Sequence, residues 1–205
     1  MAKTRILLVE GNDDKHAVLA LVKYHRLPDK SFEIDAKDGI TVLLEDLPVQ
    51  FKQGGLEVLG IMVDADTDLQ ARWQSLRDTL NKAGYELPTH PTAGGTILCP
   101  EDKPRVGIWI MPDNQLPGML EDFAARLVNP GDTLWARAES AVDSIPADER
   151  RFSAVRTAKA KLHTFLAWQA EPGKPIGLAM TTKYLNPDAP QAAEFIQWLR
   201  ALFIS

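Results

Sequence analysis

The chain is poor in the residues that build thiolate and imidazole chemistry. Cys99 is its single cysteine, so no internal disulfide can form and a thiolate zinc site is excluded. With no His-rich motif near it, Cys99 reads as an inert residue in or near a strand. His16, His25, His90 and His163 are scattered, and none has ligand spacing to another. Long apolar runs are also missing: no stretch approaches the roughly 20 residues that a membrane helix needs. The early run Ile6-Leu7-Leu8-Val9 is too short for a signal peptide and ends in an acid, so a cytoplasmic protein is expected. Positive charge is in deficit, with 23 Lys and Arg against 28 Asp and Glu and a net charge of −5. That balance argues against strong non-specific DNA binding by this chain alone, though not against a nuclease whose carboxylates cluster at its site.

What is present suits an ordinary folded domain. Hydrophobic residues make up 45% and charged residues 25% of 205 residues, enough for a real core. Strands are expected at Arg5 to Val9, at Phe32 to Ala36 and at Leu56 to Val63. Helices are expected between and after them. One carries Ala17, Val18, Leu21 and Val22 on a single face. A second covers Ile40 to Phe51, with Pro48 as a point where it could break. A third carries Leu69, Trp73, Leu76 and Leu80 and ends near Gly84. This alternation predicts a mostly parallel sheet flanked by helices. The rhythm then changes. Thr96 to Cys99 and Val106 to Met111 form a close pair that predicts a hairpin or antiparallel edge. Only helical patterns follow: about Gly118 to Val128, Thr133 to Ser144, Phe152 to Gln169 and Gln191 to Phe203, with a Pro/Gly-rich loop around Glu171 to Gly177. We therefore expect an α/β core over residues 1–130 and a helical C-terminal part over 131–205 packed on the same domain.

Two of the apolar runs end in acids, Val9-Glu10-Gly11 and Val63-Asp64-Ala65-Asp66. In an open parallel sheet the functional crevice lies past the carboxyl ends of the strands. If the first and third strands are neighbours, Glu10, Asp64 and Asp66 converge there. Gathered carboxylates repel, and a divalent cation relieves them. Oxygen ligands with no His or Cys nearby favour Mg2+ or Mn2+ over zinc. Gly11 would let the backbone approach a ligand. The plain alternative is helix capping, by Asp66 or Asp68 for the third helix and by Asp13 for the first. Asn114 follows a strand and is expected either to meet a phosphate or base or to belong to an ordinary loop. Trp73, Trp135, Trp168 and Trp198 lie on helices and read as core or interface. Trp198 with Phe195, Leu199 and Leu202 makes an apolar face that covers the sheet or a second subunit of a homodimer. Lys159, Lys161 and several arginines make the C-terminal half relatively basic, which suits a solvated face or a guide for a nucleic-acid backbone.

The segment Leu7-Leu8-Val9-Glu10-Gly11-Asn12-Asp13-Asp14 resembles the opening motif of Toprim domains, and Ile61-Met62-Val63-Asp64-Ala65-Asp66-Thr67-Asp68 resembles their second motif. With Asp14 and Lys15, the opening is most similar to the overcoming-lysogenization-defect nuclease branch. Ile110-Met111-Pro112-Asp113-Asn114 with Gly118-Met119-Leu120-Glu121-Asp122 resembles the DUF3226 family, which is grouped near that branch. The Toprim likeness covers roughly the first 125 residues and the DUF3226 likeness most of the chain. The resemblance implies that Glu10 acts in acid/base chemistry or binds metal and that Asp64 and Asp66 bind metal. Glu121 would supply a further acid, and Lys161, or alternatively Lys159, the lysine. Gly11, Asp14 and Asn114 would face the substrate. The chain would then be a metal-dependent nuclease or a subunit processing phosphodiesters in nucleic acid. Nucleases of this branch usually carry an ATPase domain, and this sequence has no Gly-rich loop ending in Gly-Lys-Ser/Thr, so a separate ATPase or other protein partner is expected. Two other classes compete. One is a non-catalytic binding partner of the same fold. The other is a phosphoacceptor receiver, which would need an apolar strand followed by Lys-Pro that is not found here.

Overall fold

The computed structural model describes residues 4–28 and 30–204. Five strands form one sheet in the order β2-β1-β3-β5-β4. They are β1 (Thr4–Val9), β2 (Glu33–Ala36), β3 (Leu56–Asp64), β4 (Thr96–Leu98) and β5 (Arg105–Met111). β2, β1, β3 and β5 run parallel, and β4 closes one edge antiparallel to β5, as the short spacing between the last two strands predicted. The helices are α1 (Asn12–Tyr24), α2 (Ile40–Gln50), α3 (Leu69–Lys82), α4 (Leu120–Ala125), α5 (Thr133–Asp143), α6 (Thr157–Ala167), α7 (Ile176–Thr181) and α8 (Pro190–Phe203). A single 3-10 turn, Ala154–Arg156, leads into α6. Among the described residues no helix is long and apolar enough to cross a membrane.

Strand periodicity divides the apolar residues between two cores. Leu7 and Val9 of β1, Met62 of β3 and Trp109 of β5 point to one face, where α1 and the C-terminal helices α4 to α8 cover them. Ile6, Leu8, Ile61 and Ile108 point to the other face, under α2 and α3. Residues 131–204 thus supply most of one layer, completed by α1 and α4, with Leu162, Phe165, Phe195, Trp198 and Leu199 all buried.

Two local outcomes differ from expectation. Pro48 does not break α2. It sits in the last turn, and the helix runs through to Gln50. The expected loop around Glu171 to Gly177 leads into a short helix that was not expected, α7, seated against α1. Gly177 makes this approach possible, since a Cβ there would come within 2.5 Å of the His16 carbonyl oxygen. A second close approach lies at the sheet centre. Gly60 and Gly107 are register partners on β3 and β5. A Cβ on Gly107 would fall 2.4 Å from Leu202, and one on Gly60 would fall 2.9 Å from Phe203. The paired glycines leave a flat strip into which the end of α8 is keyed.

Candidate functional site

The carboxyl ends of β1 and β3 lie side by side, because Val9 pairs with Met62. Glu10 and Asp64 therefore leave the sheet together. The Asp64 backbone N–H donates to Glu10 Oε1 at 2.8 Å, which ties one strand end to the other. The Asp64 carboxylate accepts the Leu120 N–H at 3.0 Å from the start of α4. Asp14, on the first turn of α1, accepts the Gly11 N–H at 3.1 Å. Glu121, on the first turn of α4, is paired with Lys159 of α6 at 2.6 Å. Four elements and the turn before α6 thus meet at one cavity of about 260 Å³. Asp14, Asp64 and Glu121 line it, with Gly11 on the same wall and Arg156 and Lys159 at its edge.

Asp14 and Glu121 are only 8% and 4% exposed, which is unusual for carboxylates unless they are paired. Glu121 has Lys159. Among the described residues the Glu10, Asp14 and Asp64 carboxylates have no ion-pair partner. Burial pushes the Asp14 carboxyl up to about 7, and the neighbouring Glu10 charge adds to the rise. Asp64 is raised well above the usual carboxylate range, first by burial and then by Asp14, Glu10 and Glu121. Glu10 is raised as well, chiefly by burial, against the Asp64 N–H and the Arg72 charge that hold it down. Burial and mutual repulsion make each of these carboxyls harder to ionise than it would be in water.

Asp66 stands slightly apart. It holds an ion pair with Arg72 at 2.6 Å, and Arg72 also donates to the Asp64 carbonyl at 2.7 Å. Its backbone adopts a φ of 53°, a left-handed conformation in which Asp is among the better-tolerated residues. Two hydrogen bonds with Gly118, at 2.9 and 2.8 Å, hold it there. Gly118 is itself required, because its φ is 141° and a Cβ would lie 2.8 Å from the Asp122 carboxylate. Asp122 caps α4 through the Met119 N–H at 2.9 Å. At α3 the capping residue is Asp68, which accepts from the Ala71 N–H at 3.0 Å.

Of the remaining expected site residues, Lys161 and Asn114 take other places. Lys161 does not reach the acidic cavity; it pairs with Asp143 of α5 at 2.8 Å and lines a neighbouring cavity. Lys159 is the lysine at the cluster. Two residues apart on a helix point some 200° away from each other, so one of the pair had to be excluded. Asn114 is 2% exposed and does not face the cavity. Its Oδ1 accepts the Ile110 N–H at 2.7 Å and its Nδ2 donates to the Ala93 carbonyl at 3.2 Å, so it fastens the loop after β5. Gly11 lines the cavity, but its backbone is ordinary extended chain with room for a Cβ. Arg72 and Arg156 were not singled out individually as site residues by sequence reasoning. Arg72 lies four residues past the Asp68 cap on the first turns of α3, a position that a helix starting at Leu69 makes predictable.

Among the described residues no three His, Cys, Asp or Glu side chains are gathered into a ready-made metal cage. The donors are nevertheless of one kind, hard carboxylate oxygens, and their charge exceeds that of the cations beside them. In donor chemistry they fit a hard divalent cation, with side-chain rotation needed to bring them to ligand distance.

Comparison with known proteins gives one family. The model of a family described as "Protein of unknown function (DUF3226)" matches residues 4–204. No curated protein and no solved structure matches the chain.

Proposed function

From the premise that the chain belongs to the DUF3226 family, we propose that it is a Toprim-type protein whose strand-end carboxylates bind Mg2+ or Mn2+ for processing phosphodiesters in nucleic acid. The observation that carries this reading is the unmatched charge at the ends of β1 and β3. Glu10, Asp14 and Asp64 are pressed together without an ion-pair partner, and all three carboxyls are raised. Such a cluster is costly to a fold unless a cation takes up its charge. Asp64 and Glu121 on the cavity wall and Glu10 beside Asp64 would hold the metal, with Asp14 on the same wall and Asp66 fixed nearby by Arg72. When bound, divalent ions of this class stabilise the attacking and leaving oxygens of a phosphodiester. Lys159 and Arg156 supply positive charge at the rim, where non-bridging phosphate oxygens would arrive. Their placement supports an anionic substrate despite the net charge of −5.

Calorimetric titration of Mg2+ and Mn2+ tests the proposal. Wild type is expected to bind, and the double variant Asp64→Asn with Asp66→Asn is expected not to. Binding should release protons and tighten as pH rises through about 7, where Asp14 loses its proton. Wild type that takes up neither ion would sink the reading. The second reading is a non-catalytic binding partner of the same fold. One observation favours it: the carboxylates are not gathered as a ready-made cage. Metal binding without hydrolysis of single- or double-stranded DNA or RNA would select it.

A further inference from the structure

Beside the acidic cavity lies a second one of about 600 Å³. The two share their walls residue by residue. Along the start of α4, Met119 and Glu121 face the first cavity while Gly118 and Asp122 face the second. Along α6, Lys159 belongs to the first while Ala158 and Lys161 belong to the second. Consecutive residues thus divide between the two cavities, so the cavities adjoin along the start of α4 and along α6. Trp135 of α5 lines the second cavity. Its ring is half-buried and meets Phe165 edge-on, with centroids 5.6 Å apart, which fixes its position. Ala158 and Val155 add apolar wall, and Val155 is exposed despite being a large aliphatic residue.

The polar part of the wall is dominated by acceptors. Asp66, Asp122 and Glu139 contribute carboxylates, while the cation Lys161 is engaged by Asp143. Among the described residues Glu139 makes no side-chain hydrogen bond or ion pair. Arg156, at the rim of the acidic cavity, makes none either. An aromatic wall, a free acceptor and a free guanidinium one cavity away match the parts of a nucleotide. The ring stacks, its amino group donates, and its phosphate meets the arginine.

We propose that the Trp135 cavity seats the nucleobase beside the scissile phosphate and prefers bases with an exocyclic amino group, of which cytosine is the simplest. Glu139 accepts from that amino group, as a carboxylate accepts from cytosine N4. Uracil offers a carbonyl oxygen at the same position, which a carboxylate repels. The inference rests on the phosphodiester reading of the acidic centre and adds the substrate feature recognised next to it.

The test is calorimetry on the full chain with Mn2+ present, titrating cytidine 5′-monophosphate, uridine 5′-monophosphate and ribose 5-phosphate. Cytidine monophosphate is expected to bind about tenfold tighter than ribose phosphate, the scale of one stacked base, and more tightly than uridine monophosphate. Trp135→Leu and Ala158→Phe should each erase the advantage over ribose phosphate, the first by removing the ring and the second by filling the cavity. Glu139→Gln should erase only the cytidine preference over uridine. Equal affinity for cytidine monophosphate and ribose phosphate, no binding of the nucleotide, or an advantage that survives both cavity variants would overturn the inference. The two readings fail separately. Mn2+ uptake with no effect of the base refutes the base cavity alone. Base-dependent, Trp135-dependent binding without Mn2+ uptake refutes the metal centre alone.

Discussion

Two acidic clusters stand at the carboxyl edge of this sheet, and they behave in opposite ways. At the end of β2, Asp35 and, from α2, Asp46 flank Lys37 at 2.6 and 2.9 Å, and Gln50 donates to Asp46 at 2.7 Å. Burial alone would raise Asp46, but the bonds from Lys37 and Gln50 outweigh it and the carboxyl falls below its usual value. After β1 and β3, Glu10, Asp14 and Asp64 lie deeper, with backbone N–H groups for partners and no ion pair, and all three rise. Acidic residues gathered in space therefore do not define a site. Deep burial without a counter-charge is what sets the second cluster apart from the first.

Neutralising the unmatched cluster should have the largest effect. Asp64→Asn is expected to weaken Mn2+ binding by about a hundredfold or more, on the scale of lost charged ligands and their supports, while Asp46→Asn leaves it unchanged. Equal effects of the two in the same titration would erase the contrast. Next is the stability of the metal-free protein against pH. The Asp14 carboxyl is raised from 3.8 to about 7 by folding. Between those values the folded state holds a proton that the unfolded chain has lost, so stability falls as pH climbs from 4 to 7 and then levels off. Asp14→Asn should flatten that slope and stabilise the protein at pH 8 by about 2 kcal/mol, read from denaturant midpoints. A variant less stable than wild type at pH 8 would mean that the cluster is not repulsive.

The two lysines of α6 give a sharper and smaller contrast. If the chain processes phosphodiesters as proposed, Lys159→Met should lower that activity by about tenfold or more through lost phosphate stabilisation, whereas Lys161→Met should leave turnover near wild type. A reversal would move the acting lysine to the Trp135 cavity. The smallest effect belongs to the matched cluster. Lys37→Met leaves Asp35 and Asp46 unpaired and should cost about 1 kcal/mol, since both carboxylates keep some contact with water. Denaturation at pH 7 measures it. No loss at all would show that solvent, not Lys37, balances those acids.

Much of this contrast was legible before the fold was known, and what was not has definite causes. The ends of β1 and β3 announced themselves because a fully buried parallel strand reads as an unbroken apolar run, and an acid stopping that run is conspicuous. Their adjacency was not legible, because strand order depends on pairings about 50 residues apart that no local pattern encodes. Lys159 and Lys161 could not be separated by pattern. They flank the buried face of Leu162, Phe165 and Leu166 on opposite sides, and hydrophobicity alone does not say which flank faces α4. Asn114 looked like a ligand because it is polar and follows a strand. Its true partners are the Ile110 N–H and the Ala93 carbonyl, main-chain groups whose need for a partner leaves no mark in the sequence. The short helix α7 was hidden by its six residues and by Pro172, Gly173 and Pro175 just before it.

The strip formed by Gly60 and Gly107 bears on how the chain comes together during synthesis. These glycines are filled by Leu202 and Phe203, and the Arg5 guanidinium donates to the Phe203 carbonyl at 2.6 Å. A ribosome that has released residues 4–111 has delivered every strand of the sheet. Yet the middle of one face stays wet and incomplete until nearly a hundred further residues have followed. The sheet and its last helix are therefore completed together, and a nascent chain halted before residue 202 leaves the strip between Gly60 and Gly107 uncovered.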